Sequence, residues 1–386
     1  MKMKKVSAMA FVLLVCSAIT AFAREDAVVC RTHRAIPVAL ARGMAASYRV
    51  NGVLCATEDE LRTGATVHLL IHGSTYNHHY WDFGTVDGVR YSYARDVAAR
   101  GFPTFAIDLL GSGKSSHPQS DLLTAEVEAF VAHQIVQALR NGSIAGVQFG
   151  KVIIVGHSLG SVVVWLEAIN YGDVDGVIVT GAAHAVTTKF LTANALYPAV
   201  ADPKFAKSGL DPGYLTTVPG TRTTLFFNPP DVDPAVITAD EASKDVVPGV
   251  ELATGLPVVT STATRAIGVP VLTILGSNDF TTCGLSSEDV NFDCSSGAVV
   301  AAQEVPFYSP AARIAACVVA GSGHDLSLAF NHDLQVADAV AWSSAFIARP
   351  DERRLDEDRQ PSDDVKSDAG LPWNDGLPWN CSVAKL

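Results

Sequence analysis

Short apolar runs recur along most of the chain and alternate with longer segments of helical periodicity. The runs occupy positions 66–71, 104–107, 151–155, 176–180, 269–275 and 313–320. The segments with helical spacing cover 89–100, 122–139, 162–169 and 335–347. The runs are short and rich in β-branched residues, which is typical of strands buried on both faces of a parallel sheet. The alternation predicts an α/β fold, with a mainly parallel sheet and helices on both faces.

Two extended stretches precede the first buried run, around positions 36–41 and 47–54. They predict antiparallel strands at the start of the fold. The dipeptide Asn51-Gly52 is a common turn sequence and predicts a reversal of the chain within this region.

The alternation stops between positions 181 and 268. This stretch contains nine prolines and six phenylalanine or tyrosine residues. Its place between two predicted core strands favours a cap inserted into a core of residues 24–180 and 269–348. Such a cap would exclude water and contact an apolar substrate. The alternative is a decorated loop with a small core of its own.

The two ends of the chain differ from the rest. Lys2, Lys4 and Lys5 precede an apolar stretch at 6–19, and Ala21-Phe22-Ala23 resembles a signal-peptidase site. Residues 1–23 are therefore expected to be a signal peptide, cleaved after about Ala23, and the protein to be secreted to the periplasm or outside the cell. No later apolar run is long enough to predict membrane insertion. Residues 349–386 form an acidic tail that contains GLPWN twice, at 370–374 and 376–380.

Charge and cysteine content narrow the function further. Loss of the three signal-peptide lysines changes the formal net charge from −12 to −15, which argues against nucleic acid as a partner. Six cysteines remain, which suggests disulfides in a secreted protein. Proximity along the chain favours Cys30 with Cys55 and Cys283 with Cys294, leaving Cys317 for Cys381. No cysteine or histidine pair has the spacing of a zinc motif.

The strongest chemical signal lies at 151–161, which reads KVIIVGHSLGS. A buried strand, a G-x-S-x-G turn and an apolar helix follow one another, which is the context of a nucleophile elbow. Glycines at 156 and 160 leave room for a strained turn that would expose the Ser158 hydroxyl. The backbone N–H of Leu159 would face an oxyanion formed at this point.

A serine nucleophile needs a base, and the base needs a group that orients it. Two later predicted strands are followed by Asp279 and His324, so both side chains would emerge on the side of the sheet where the elbow lies. We predict His324 as the base and Asp279 as the orienting acid. The alternatives that stay open are His184 and His332 for the base, and Asp289 and Asp293 for the acid. Asp325 is adjacent to His324 and is badly placed to reach its ring.

The loop after the 66–71 strand is predicted to supply the second oxyanion donor. The N–H of Ser74 is the first candidate, with Thr75 behind it, since Gly73 allows a sharp turn. We expect Tyr80 and Trp81 to pack this loop or to line the pocket. Thr75 and His157 complete the expected substrate contacts. His78 and His79 are adjacent and lack a third ligand, so no metal is predicted here.

The sequence at 111–115, GSGKS, matches the end of a phosphate-binding loop. A Walker A loop needs a glycine where Asp108 stands, so the match is incomplete. We interpret this segment as a glycine-rich turn that follows the 104–107 strand.

Together these motifs resemble the α/β-hydrolase superfamily, in its secreted serine esterase or lipase-like branch with a cap insertion. The resemblance rests on His72-Gly73, DLLGSGKS at 108–115, GHSLG at 156–160, Asp279 and His324. It implies acyl transfer from a small-molecule ester or lactone through Ser158, with no cofactor. The sequence departs from many esterases because Ser74 and Thr75 replace a run of glycines. Alternatives are a peptidase, thioesterase or C–C hydrolase on the same scaffold, or a catalytically silent binding protein.

Overall fold

The structure is a computed structural model, and it describes residues 27–284, 292–347 and 380–384. The predicted signal peptide, most of the acidic tail, the first GLPWN copy and Asp289 lie outside these residues.

The strands of the described chain are β1 (Val29–Val38), β2 (Tyr48–Ala56), β3 (Thr66–Ile71), β4 (Gly84–Val86), β5 (Val89–Tyr91), β6 (Thr104–Asp108), β7 (Lys151–His157), β8 (Gly176–Thr180), β9 (Leu196–Pro198), β10 (Tyr214–Thr217), β11 (Val247–Pro248), β12 (Val271–Gly276), β13 (Ala315–Val319) and β14 (Cys381–Val383).

The helices follow the same order along the chain. They are α1 (Glu58–Thr63), α2 (Tyr93–Ala98), α3 (Ala125–Arg140), α4 (Leu159–Asn170), α5 (Thr188–Thr192), α6 (Arg222–Phe226), α7 (Pro234–Ser243), α8 (Gly249–Val259), α9 (Gly297–Glu304) and α10 (His332–Phe346). Within the described ranges, no helix combines the length and the apolar character needed to cross a membrane.

Nine strands form one sheet in the order β1-β2-β6-β3-β7-β8-β12-β13-β14. The six strands from β6 to β13 in this order pair in parallel, while β1, β2 and β14 pair antiparallel. The prediction of a mainly parallel sheet is therefore confirmed. β7 lies at the centre, between β3 and β8, which explains why its sequence is almost entirely apolar.

Both faces of the sheet are covered by helices, as the continuous apolar strands require. In β3, Val67, Leu69 and Ile71 pack in one cluster with residues of α3 and α4. Leu70, between them, points to the other face and packs in a cluster with residues of α2 and α10. The sheet thus lies between two helical layers.

Two local predictions are wrong. The segment 89–100 is not one helix, because Val89–Tyr91 pairs with Gly84–Val86 across an Asp87-Gly88 turn whose two φ angles are 47° and 86°. Ser92 then starts α2 by accepting a hydrogen bond from the N–H of Arg95.

Asn51-Gly52 is not a turn either, because both residues pair with β6 inside β2. Gly52 is required there for close packing, since a Cβ atom would lie 2.4 Å from the Phe105 ring.

The three predicted disulfides are confirmed. Cys30 is bonded to Cys55, Cys283 to Cys294 and Cys317 to Cys381. The first joins the paired strands β1 and β2, and the third holds β14 at the edge of the sheet beside β13. Residue 381 of the tail is thus tied covalently to the core.

The segment 181–268, here called the insert, connects β8 to β12. It contains a small antiparallel sheet in the order β11-β10-β9, together with helices α5 to α8. Tyr214 of β10 packs in the same apolar cluster as α3 and α4, so the insert shares its packing with the layer that carries Ser158.

Candidate active site

Ser158 lies between the end of β7 and the first residue of α4, with φ of 52° and ψ of −121°. A non-glycine residue with positive φ is strained and persists only where its surroundings hold it. The flanking glycines are needed for close approach: a Cβ at Gly156 would lie 2.5 Å from the carbonyl oxygen of Gly160, and one at Gly160 would lie 2.4 Å from that of His72. The geometry is that of a nucleophile elbow.

Asp279 follows β12 and His324 follows β13, and the two side chains meet. Nδ1 of His324 lies 2.9 Å from Oδ2 of Asp279. The other carboxylate oxygen, Oδ1, accepts hydrogen bonds from the N–H and the hydroxyl of Thr281, at 2.8 and 2.7 Å. Both Asp279 and His324 are buried. The carboxylate is therefore fixed in position and can orient the imidazole.

Burial and charge act in opposite directions on this pair. Burial alone would lower the pKa of His324, but the charge of Asp279 and its hydrogen bond outweigh burial and raise this pKa above 6.5. Burial would raise the pKa of Asp279, yet His324 and Thr281 lower it below 3.8. Asp279 is thus ionised at neutral pH, and its charge favours the protonated form of His324.

The other ring nitrogen of His324, Nε2, is buried and has no hydrogen-bond partner among the described residues. Its ring packs between His157 and Phe226, with centroid distances of 4.9 and 5.7 Å. Gly181 lies against the same ring, since a Cβ atom there would be 3.0 Å from His324 Cε1. Gly181 also lines the cavity that Ser158 lines. Nε2 is therefore the ring nitrogen available for proton transfer.

The competing residues have other partners. His184 is buried against Glu304, with Nδ1 2.7 Å from Oε2, and Nε2 of His184 lies 2.8 Å from the Thr264 hydroxyl. His332 lies 2.9 Å from the carbonyl oxygen of Ala329. Asp293 accepts a hydrogen bond from the N–H of Ser295, so the structure pairs only Asp279, of the described candidates, with His324.

The loop after β3 lies directly beside the elbow. A Cβ at Gly73 would lie 2.9 Å from Cβ of Ser158, and Ser74 lines the cavity with Ser158 and Leu159. Leu159 opens α4, where the first N–H groups have no partner within the helix. Ser74 and Leu159 thus lie on either side of Ser158 along the wall of the same cavity.

Thr75, Tyr80, Trp81 and His157 were expected to contact the substrate, but they do not line this cavity. The Thr75 hydroxyl accepts a hydrogen bond from Arg222 at 2.9 Å. Tyr80 stacks on His157 with a centroid distance of 4.2 Å, and Trp81 packs edge-on against Tyr80. All four residues are buried and pack around the elbow rather than facing the cavity.

A buried polar network that sequence reasoning missed lies behind these residues. Nε2 of His157 lies 3.1 Å from Oδ1 of Asp325, and the Tyr76 hydroxyl donates to Oδ2 of Asp325. Burial raises the pKa of Asp325 to about 6. Asp325 therefore supports the elbow through His157. It does not pair with the ring of His324, its neighbour in the sequence.

Arg222 of the insert joins this network and forms a buried ion pair with Asp240. The guanidinium donates two hydrogen bonds to the carboxylate, at 2.6 and 2.9 Å, and both side chains are fully buried. The same guanidinium lies 4.3 Å from the centroid of the Tyr76 ring. No spacing rule predicts such a pair, because the two residues are 18 positions apart and neither belongs to a recognisable motif.

The cavity beside Ser158 has a volume of about 320 Å³ and is mostly apolar. The insert contributes most of its lining. The apolar lining residues are Leu159, Val162, Ala182, Ala183, Ala185, Val186, Phe190, Leu191, Ala195, Leu196, Leu225, Phe226, Leu252, Leu256 and Val259.

The segment at 108–115 does not form a phosphate site. The carboxylate of Asp108 accepts hydrogen bonds from the N–H groups of Lys114 and His78, at 2.8 and 2.9 Å. Nδ1 of His78 lies 2.6 Å from the same carboxylate, so this imidazole is paired with an acid. A side-chain anion thus takes the donors that a phosphate would need, as the incomplete motif indicated.

Solved structures that resemble this chain include two ester hydrolases. A soluble variant of monoglyceride lipase from Saccharomyces cerevisiae superposes with a TM-score of 0.53 at 14% identity, covering 80% of this chain and 94% of that chain. The carboxylesterase CesB from Bacillus subtilis gives a TM-score of 0.50 at 16% identity, covering 80% and 90%. At these identities the likeness concerns the fold. A comparison with curated protein sequences finds no significant match.

A family model covers most of the described core. The model of the alpha/beta hydrolase family matches residues 69–341, a range that includes the elbow, Asp279 and His324. The fold, the elbow geometry and this match agree, and the chain belongs to the alpha/beta hydrolase family.

Proposed function

We propose that this protein is a secreted serine hydrolase that cleaves carboxylic esters, including lactones, of a fairly apolar small-molecule substrate. The observation that carries the proposal is the contact of His324 with Asp279 at 2.9 Å, at the edge of the parallel sheet where the strained Ser158 also lies. Nucleophile, acid and base follow in the chain order found in this fold.

In the proposed reaction, His324 Nε2 takes the proton of the Ser158 hydroxyl while Oγ attacks the ester carbonyl. The N–H groups of Ser74 and Leu159 bind the oxyanion, and Asp279 stabilises the imidazolium. His324 then donates the proton to the leaving alcohol, which leaves an acyl-enzyme. Water attacks this ester, His324 again moves the proton, and the acid is released.

We further propose that the insert, residues 181–268, acts as a cap that sets the substrate class. It supplies most of the apolar wall of the cavity, whose volume of about 320 Å³ suits a small ligand. Leu191 and Leu256 line the cavity and are also 51% and 41% exposed, so apolar side chains continue to the surface. An uncharged acyl or alkyl group fits such a wall better than a charged one.

Export is supported by the three disulfides, which persist in oxidising compartments. The lysine-rich start and the apolar stretch at 6–19 are consistent with the same compartment.

The test is hydrolysis of p-nitrophenyl esters by Ser158→Ala and by the control Ser161→Ala. Ser161 lies in the first turn of α4, directly after the elbow, but its hydroxyl donates to the carbonyl oxygen of Thr180. Loss of the nucleophile is expected to lower kcat by about 10⁴-fold or more, whereas Ser161→Ala retains most of the activity. An unchanged rate in Ser158→Ala rejects the proposal.

Parallel assays with amide, thioester and ester substrates of one acyl group separate esterase from peptidase or thioesterase activity. A wild-type protein that hydrolyses none of them and still binds apolar ligands would favour the binding-protein alternative.

A further inference from the structure

A second cluster of chemically reactive side chains lies away from the elbow. His133 belongs to α3, Glu167 to α4, and Asp173 to the loop that joins α4 to β8. Glu167 is nine residues after Ser158, which places it about 13 Å along the helix from the nucleophile. The cluster is therefore separate from the proposed active site.

The three side chains converge on a small volume. Nδ1 of His133 lies 2.9 Å from Oδ2 of Asp173 and 3.9 Å from Oε1 of Glu167. One donor atom from each residue lies within 4.8 Å of the other two. Two ligands bound to a tetrahedral Zn²⁺ at about 2.0–2.2 Å are about 3.3–3.5 Å apart, which falls between the two measured distances.

Four polar atoms of this cluster are buried without a hydrogen-bond partner among the described residues. Glu167 has a fully buried side chain, and neither of its carboxylate oxygens receives a hydrogen bond from a described residue. Oδ1 of Asp173 and Nδ1 of His133 are also buried without a hydrogen bond of good geometry. An unpaired buried carboxylate costs several kcal/mol, so this arrangement calls for a positive partner or a bound proton.

Arg140 does not fill this role. Arg140 donates to the backbone carbonyl of Asp173 at 2.7 Å and to the carboxylate of Asp175 at 2.5 Å. Gln137 donates its uncharged amide to Oδ2 of Asp173. The two carboxyl groups of Glu167 and Asp173 thus need a bound cation, a proton shared between them, or a proton on His133.

The surroundings hold the donors in place and leave a route from solvent. Tyr171 stacks on the His133 ring at 4.1 Å, with an angle of 14° between the planes. Gly172, with φ of 61°, ends α4 and turns the chain so that Asp173 faces back toward α3. His133 and Asp173 each keep 19% of the side chain exposed, so an ion can enter from that side.

We propose that His133, Glu167 and Asp173 bind one divalent transition-metal ion of the Zn²⁺ type that joins α3 to the carboxyl end of the nucleophile helix. An imidazole with two carboxylates is a donor set that Zn²⁺ accepts, whereas Mg²⁺ and Ca²⁺ prefer oxygen ligands throughout. The two negative charges balance the ion. The sequence gives no sign of it, because spacings of 34 and 6 residues match no metal motif.

The test uses the untagged mature protein, freed of metal by a chelator and titrated with ZnCl₂ by calorimetry. The variants are His133→Ala and Asp173→Asn, whose side chains are partly exposed, and the control is His79→Ala, an exposed histidine elsewhere. We expect wild type and control to bind Zn²⁺ at this site and to melt several degrees higher with it. Both variants should lose at least tenfold in affinity together with this stabilisation.

Zinc at His157, His324 and Asp325 would be a separate event, because those atoms also lie within 4.8 Å of one another. It would appear as inhibition of ester hydrolysis that His133→Ala does not change. Equal Zn²⁺ affinity and equal stabilisation in wild type, His133→Ala and Asp173→Asn would overturn the proposal. Absence of zinc binding to the wild type would also overturn it and would leave a proton, either shared between the carboxylates or on His133.

Discussion

Nδ1 of His324 lies 2.9 Å from Oδ2 of Asp279, although the two residues are 45 positions apart in the sequence. The contact arises because β12 and β13 are parallel neighbours, so the loops that follow them meet at one edge of the sheet. It directs one ring nitrogen to the acid and leaves Nε2 as the free nitrogen. The proposed catalysis depends on this division of roles.

The first prediction concerns pH. His324 must be neutral to act as a base, and its pKa is raised above 6.5 because the charge and hydrogen bond of Asp279 outweigh burial. Ester hydrolysis should therefore fall as the pH decreases through a value above 6.5. In Asp279→Asn the rate should fall by about 10⁴-fold, and the acid limb should move to lower pH. A kcat/KM profile with an unmoved acid limb in this variant would contradict the pairing.

Gly181 offers a test of the position of the imidazole. It has φ of 61°, and a Cβ atom there would lie 3.0 Å from His324 Cε1. Gly209 is the matched control, since it has φ of 78° and open space around a Cβ. Each change to alanine should cost about 1–2 kcal/mol of stability through backbone strain. Only Gly181→Ala should lower kcat strongly, and equal kcat values in the two variants would argue against the position of the His324 ring beside Gly181.

Burial of acids across the interface of α3 and α8 predicts a pH-dependent stability. Burial raises the pKa of Glu251 to about 8, and burial with the charge of Glu251 raises that of Glu128. A raised carboxyl pKa gives a contribution to stability that is present below about 4.5 and is lost as the pH rises through about 8. Glu251→Gln should remove part of this loss. Urea unfolding at pH 5 and pH 8.5 gives the loss of unfolding free energy between the two pH values. The same loss in Glu251→Gln as in the wild type would contradict the role given to Glu251.

The ion pair of Arg222 with Asp240 should matter for folding. Arg222→Met leaves the Asp240 carboxylate buried without a partner, which typically costs about 3–5 kcal/mol. The double variant Arg222→Met/Asp240→Leu should recover much of that loss, because no charge then remains buried. Thermal unfolding of the two variants gives the comparison. If the double variant is no more stable than Arg222→Met, the loss in the single variant does not come from the unpaired Asp240 carboxylate.

Much of the fold could be predicted from the sequence because its signals are local. Short, mostly apolar runs predicted β3, β7 and β8 close to the positions observed. Parallel pairing then brings the loops after the strands to one edge, which is why Asp279 and His324 could be named before their contact was known.

Other features depend on packing that a single segment does not reveal. Asn51-Gly52 has the composition of a turn, but Gly52 is needed where Phe105 packs against β2. Tyr80 and Trp81 follow the loop after β3, yet they pack against His157 and do not line the cavity. The burial of Arg222 depends on Asp240, which is 18 residues away. The Asp87-Gly88 turn was a local signal, and apolar spacing at 89–100 obscured it.

The most direct measurement of the central claim is intact and peptide mass spectrometry after treatment with a fluorophosphonate. We predict one adduct per chain, located on Ser158, together with complete loss of ester hydrolysis. The adduct should be absent in Ser158→Ala and should form far more slowly in His324→Ala. An adduct on another residue, or full hydrolytic activity with Ser158 blocked, would contradict the proposed Ser158, His324 and Asp279 mechanism.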